Sequence, residues 1–98
     1  MKLAIYADNN GSPGALLMTT NEVINPASGW VTFSLTSGYA ITSGSYYWLA
    51  AWSNVNYIPK CRTTGGTARY IVRTYGTWPN PLSGTIGPYS NSESIYAY

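Results

Sequence analysis

The chain reads as all-β: an antiparallel β-sandwich of jelly-roll type with about seven short strands and no helix. Three observations predict it. Apolar residues alternate with period two in short runs and do not recur at helical spacing. Glycine, proline, asparagine and aspartate interrupt those runs at intervals of roughly 8–12 residues. Aromatic residues, which suit a pleated surface, make up 15% of the sequence.

Residues 2–7 alternate, with Leu3, Ile5 and Ala7 on one face and Lys2, Ala4 and Tyr6 on the other, so a strand with one buried side is expected. Asp8-Asn9-Asn10-Gly11-Ser12-Pro13-Gly14 is the strongest turn signal in the chain. Asp and Asn bond their own backbone and tolerate positive φ, glycine accepts it freely, and proline fixes an elbow. Asp8 in that loop is also a weak candidate metal ligand, because Asp-x-Asn-Gly resembles part of a calcium loop. No second carboxylate follows, so no metal site and no cofactor are expected. Asn10-Gly11-Ser12 is formally a glycosylation sequon.

Residues 15–24 suggest a short strand, a bend and a second short strand around the polar centre Thr19-Thr20-Asn21-Glu22, and 25–29 a turn. Residues 30–35 predict a strand with Val31, Phe33 and Leu35 inward and Trp30 covering its start. Tyr39-Ala40-Ile41 reads as an apolar anchor within a connecting loop. Residues 45–53 are apolar on both sides, Tyr46, Trp48, Ala50 and Trp52 against Tyr47, Leu49 and Ala51. That is the pattern of a middle strand covered on both faces, and the periodicity does not choose which face is core. Lys60-Cys61-Arg62 suggests a short edge strand, 63–66 a hairpin turn, 68–75 a strand, 76–88 a long irregular loop and 93–98 a last strand. Trp30, Phe33, Leu35, Leu3, Ile5 and Leu49 are the expected core.

A single domain of 98 residues is modest in core. It buries roughly 60–65% of its unfolded surface. Small domains add disulfides, metals or oligomerisation. Cys61 is the lone cysteine, which excludes an internal disulfide but not a link between two chains. There is no histidine, and Asp8, Glu22 and Glu93 are the only acids, too few for a zinc site or for paired-carboxylate catalysis. An enzyme is therefore not expected, and a homo-oligomer is. Charged residues are 8% of the chain and the net charge is +2, from bases too dispersed for a nucleic-acid stripe. No apolar run reaches the roughly 18 residues of a membrane span. The start of the sequence lacks a signal-peptide pattern, so export would use a signal on a longer parent.

Residues 2–17 (Lys-Leu-Ala-Ile-Tyr-Ala-Asp-Asn-Asn-Gly-Ser-Pro-Gly-Ala-Leu-Leu), 29–35 (Gly-Trp-Val-Thr-Phe-Ser-Leu) and 44–50 (Gly-Ser-Tyr-Tyr-Trp-Leu-Ala), in that order, carry a resemblance. So do Tyr75-Gly76-Thr77-Trp78-Pro79-Asn80-Pro81 and Ser94-Ile95-Tyr96-Ala97. The chain resembles small β-sandwich modules of extracellular and surface-anchored bacterial and archaeal proteins. The resemblance implies an extracellular or cell-surface location and, as the role usually inferred for such modules, carbohydrate binding. It also implies strands ahead of residues 2–7. Either the chain is a fragment of a longer domain, or another chain fills the missing sheet positions by pairing with the open edge of that strand.

Two functions compete. One is a non-catalytic structural or self-assembling surface or adhesion module, since aromatic, charge-poor surfaces suit protein interfaces. The other is a carbohydrate-binding module, in which flat rings cover sugar faces and neutral polar groups bond the edges. Its candidate residues are Trp52, Asn54, Tyr57, Arg62, Trp78, Asn80 and Tyr89. Ordinary packing is the competing role for these rings, with Trp78 as a plug over the sandwich end.

Overall fold

A computed structural model of the chain describes residues 1–24, 29–53, 61–62, 68–70, 74–82, 86–89 and 92–93. The described residues contain strands and no helix. The strands are β1 (Lys2–Asn9), β2 (Ser12–Thr19), β3 (Tyr47–Trp52), β4 (Cys61–Arg62), β5 (Ala68–Tyr70), β6 (Ile86–Tyr89) and β7 (Ser92–Glu93). They form a three-stranded antiparallel sheet in the order β2-β1-β3, with β4 pairing β7 and β5 pairing β6.

Among the described residues, the strand expected in the middle therefore lies at the side of this sheet. Among the described residues β3 pairs only with β1, and β1 carries a neighbour on each edge. The edge expected to lie open along residues 2–7 is closed by β2 and β3 of the same chain. Burial agrees: Ala4, Ile5 and Tyr6 are buried in succession, so both faces of β1 are covered. The sequence misleads here because Lys2 and the phenol of Tyr6 make one face look polar. Tyr6 is fully buried, and its Oη donates to the Pro79 carbonyl at 2.7 Å, so the polar tip is satisfied inside.

The turn between β1 and β2 is much shorter than the seven-residue signal suggested. Asn9 pairs with Ser12, leaving Asn10 and Gly11 as a two-residue loop with φ of 52° and 85°. Positive φ at both positions matches the twist of the flanking strands, and Asn-Gly is the dipeptide that adopts it most cheaply. Pro13 and Gly14 lie within β2. Two register shifts fall between Ile5 and Asp8 of the β1–β2 pairing, which lets β2 hold a proline. A Cβ on Gly14 would stand 3.0 Å from the Asn9 Cβ, so the strands approach there at glycine distance.

The β1–β3 pairing is regular, from Lys2 opposite Trp52 to Ala7 opposite Tyr47. Side chains alternate across the sheet. One face therefore carries Lys2, Ala4, Tyr6 and Asp8 with Trp48, Ala50 and Trp52. The other carries Leu3, Ile5 and Ala7 with Tyr47, Leu49 and Ala51. In β3 the Leu49–Ala51 side is the exposed one. The first face is the better covered, and it carries the candidate site.

The strand expected over 30–35 reduces to a single bridge, Leu35 to Thr20. Asn21 N donates to the Ser34 carbonyl and Thr36 N to that of Thr19, both at 2.9 Å. Val31 and Phe33 are half-buried between exposed neighbours, so the alternation is real. The burial is not: Trp30 is 72% and Leu35 42% exposed. Of the expected core, Ile5 is buried, Leu3 and Phe33 are half-buried, and Trp30, Leu35 and Leu49 are exposed. Tyr39 and Ile41, the expected loop anchor, are exposed as well.

Candidate functional site

Residues 74–82 run across the Lys2–Tyr6 face as a strap. Starting over β3, Tyr75 meets Trp52 edge-on, with ring centroids 5.3 Å apart at 63°. Trp78 lies 5.1 Å from Trp52 and 6.1 Å from Tyr6. Past the Tyr6–Pro79 hydrogen bond, Asn80 Oδ1 accepts from Leu16 N at 3.0 Å, and Leu82 N donates to the Gly14 carbonyl at 3.0 Å. The strap thus begins over one side strand and ends bonded to the other, holding all three together.

Lys2 sits at the centre of the aromatic group. Its Nζ lies 4.8 Å from the Trp52 ring centroid, 4.7 Å from Tyr75 and 5.4 Å from Trp78, within the range at which ring quadrupoles attract a cation. It also donates to the Gly76 carbonyl. Register explains the placement, since Lys2 and Trp52 are direct cross-strand partners. Tyr75 is oriented from outside: its Oη donates to Glu22 Oε2. Burial and then the Glu22 carboxylate, which prefers the protonated phenol, push the Tyr75 pKa up to about 12. One buried donor is left without an acceptor among the described residues, the Trp78 indole Nε1.

Asp8 is bound into the sheet. Trp48 Nε1 donates to its Oδ1 at 2.8 Å and Gly11 N to its Oδ2 at 3.2 Å. The carboxylate therefore holds the hairpin turn and orients the β3 indole. Among the described residues no three His, Cys, Asp or Glu side chains come together as a metal-binding group.

Of the sugar-site candidates, Trp52 and Trp78 are brought together, and Asn80 is close by on the same strap but its side-chain oxygen bonds the backbone of β2. Arg62 is in β4, opposite Ser92, and Tyr89 in β6, opposite Ala68. Asn54 and Tyr57 lie outside the described residues. Lys2, Tyr75 and Glu22 complete the group, and the sequence reading did not include them. The period-two pattern put Lys2 on the same face as Tyr6, but nothing local placed 75–78 over that face. No helix among the described residues is long and apolar enough to cross a membrane. In comparisons with known proteins, no family model matches the chain, and no curated protein or solved structure is significantly similar to it.

Proposed function

We propose that the chain is a non-catalytic structural module of jelly-roll β-sandwich type, extracellular or cell-surface in location, that assembles with copies of itself through an aromatic surface. The observation that carries this is the exposure of large apolar side chains over 24–46: Ile24 is 76%, Trp30 72% and Tyr46 82% exposed. Charged residues are only 8% of the chain, and interfaces favour aromatic residues and disfavour charge. Self-association would remove these apolar side chains from water.

Two features weigh against the rival glycan reading. The Trp52 and Trp78 rings are half-buried and turned to one another and to Lys2, so they do not offer the flat open platform a sugar needs. Asn80, the polar group expected at the rim, has its side-chain oxygen committed to Leu16 N. Against catalysis, Asp8 and Glu22 are both engaged by neighbouring donors, and the chain has no histidine.

Light scattering after size exclusion at micromolar concentration tests the reading. The expected result is a mass of two or more chains for the parent and a shift toward one chain for Trp30→Ser with Tyr46→Ser. A parent of single-chain mass at all concentrations overturns it. A glycan array separates the rival, which requires binding that Trp52→Ala abolishes.

A further inference from the structure

The group around Lys2 has the parts of a cation receptor. Three electron-rich rings converge on one ammonium nitrogen at 4.7–5.4 Å, and a backbone carbonyl, that of Gly76, accepts from it. The Glu22 carboxylate stands behind the Tyr75 phenol. The rings are held independently of their occupant: Trp52 by its place in β3, and Trp78 by the Tyr6–Pro79 and Leu16–Asn80 bonds on either side of the strap. Lys2, Trp52, Tyr75 and Trp78 are all partly exposed, and Gly76 and Thr77 are exposed, so the nitrogen sits near solvent.

We propose that Trp52, Tyr75 and Trp78 form a cage for a quaternary ammonium group of a small solute, and that Lys2 is its built-in competitor. A primary ammonium is strongly hydrated and gives up much of that hydration to enter such a cage. A quaternary ammonium, which donates no hydrogen bonds to water, gives up less, and aromatic cages select it for that reason. Lys2 holds the cage because it is tethered, which supplies an effective concentration on the order of millimolar. A free cation must exceed that advantage, or Lys2 must be withdrawn. The cage thus discriminates against low concentrations of its ligand by construction.

The probe is tetramethylammonium chloride, titrated against tryptophan emission with sodium chloride as the ionic-strength control. Lys2→Ala is expected to bind it saturably and at least about tenfold more tightly than the parent, the advantage removed being the tether's effective concentration. Adding Trp52→Leu to Lys2→Ala should abolish the gain. Lys2→Ala that keeps a native circular dichroism spectrum and binds no more tightly than the parent overturns the proposal, as does binding that survives Trp52→Leu. Should Lys2→Ala not fold, proton NMR of the parent decides. Ring currents displace the Lys2 ε-methylene protons, and tetramethylammonium is expected to return them toward their free positions. Protons that stay displaced throughout the titration contradict the cage. The readout is ring chemistry and not mass, so its failure leaves the assembly proposal standing.

Discussion

Trp52, Tyr75 and Trp78 are packed around a lysine, while Trp30, Tyr39 and Tyr46 are 72%, 46% and 82% exposed, although the six residues are of the same two kinds. The difference lies in the backbone beneath them. Trp52 sits on a strand hydrogen-bonded to β1, and the strap brings Tyr75 and Trp78 over that sheet with polar anchors at Pro79, Asn80 and Leu82. Among the described residues, the backbone bonds that tie 29–46 to the sheet gather around the Leu35–Thr20 bridge. An aromatic ring is buried where register and loop anchors deliver a second surface to it; hydrophobicity alone does not do this.

Substitutions on the two sides should therefore differ in size. Tyr6→Ala removes the fully buried ring under the strap and is expected to cost about 3–5 kcal/mol, the usual range for deleting a buried aromatic, measured by urea unfolding. Tyr6→Phe keeps the ring but leaves the Pro79 carbonyl without its donor, for about 1 kcal/mol. If Tyr6→Ala were no worse than Trp30→Ser, the contrast between the regions would be wrong. Trp30→Ser itself should stay within about 0.5 kcal/mol, as befits an exposed position.

Next in size is the hairpin. Gly11→Ala places a Cβ at a φ of 85° with nothing within 4 Å to clash, so the cost is conformational only. About 1 kcal/mol is expected, read as a lower urea midpoint with an unchanged slope. A neutral result would mean that the turn does not set the β1–β2 register.

A further contrast is alkaline. Tyr75 has a folded pKa of about 12 against an ordinary value of 10.0. Above 10 the unfolded chain releases this proton while the folded chain keeps it, so the contribution to stability is complete below pH 10 and declines as pH rises toward 12. Tyr75→Phe should flatten that decline, checked by urea midpoints across the window. Tyr47 shifts the opposite way, its pKa lowered chiefly by the Thr42 backbone N–H donating to its oxygen. Phenolate absorbance should therefore show Tyr47 titrating before Tyr75.

Much of the sheet is legible in the sequence. The alternation of 2–7 and the apolar run of 45–53 mark two of its strands, and the turn signal over 8–14 contains the hairpin loop but overstates its length. What differs, among the described residues, is order. Two apolar faces on 45–53 suggested a middle strand, yet Ala50 and Ala51 are small enough to leave that pattern ambiguous, and Leu49 is exposed. Conversely the partly polar Lys2 and Tyr6 disguised the true centre, because their polar atoms are satisfied by carbonyls more than 70 residues away. The same distance hid the cage: Trp52 and Trp78 could be singled out as aromatics, but only the strap reveals that they share Lys2. Period-two patterns report which side chains share a face, and they carry no information on which loop covers it.

Amide hydrogen exchange tests the central claim, that β1 lies between β2 and β3. In an antiparallel sheet successive N–H groups point to opposite edges, so a middle strand has all of them bonded and a side strand every second one. Leu3 turns its N–H and C=O toward Thr20, on the β2 side, which directs Ala4 and Tyr6 to β3. The arrangement predicts slow exchange at every amide from 3 to 6, whichever edge it faces, and fast exchange at most amides across 37–46. Protection that alternates along 3–6 but is continuous through 47–52 would contradict it and return the middle of the sheet to the Tyr47–Trp52 strand.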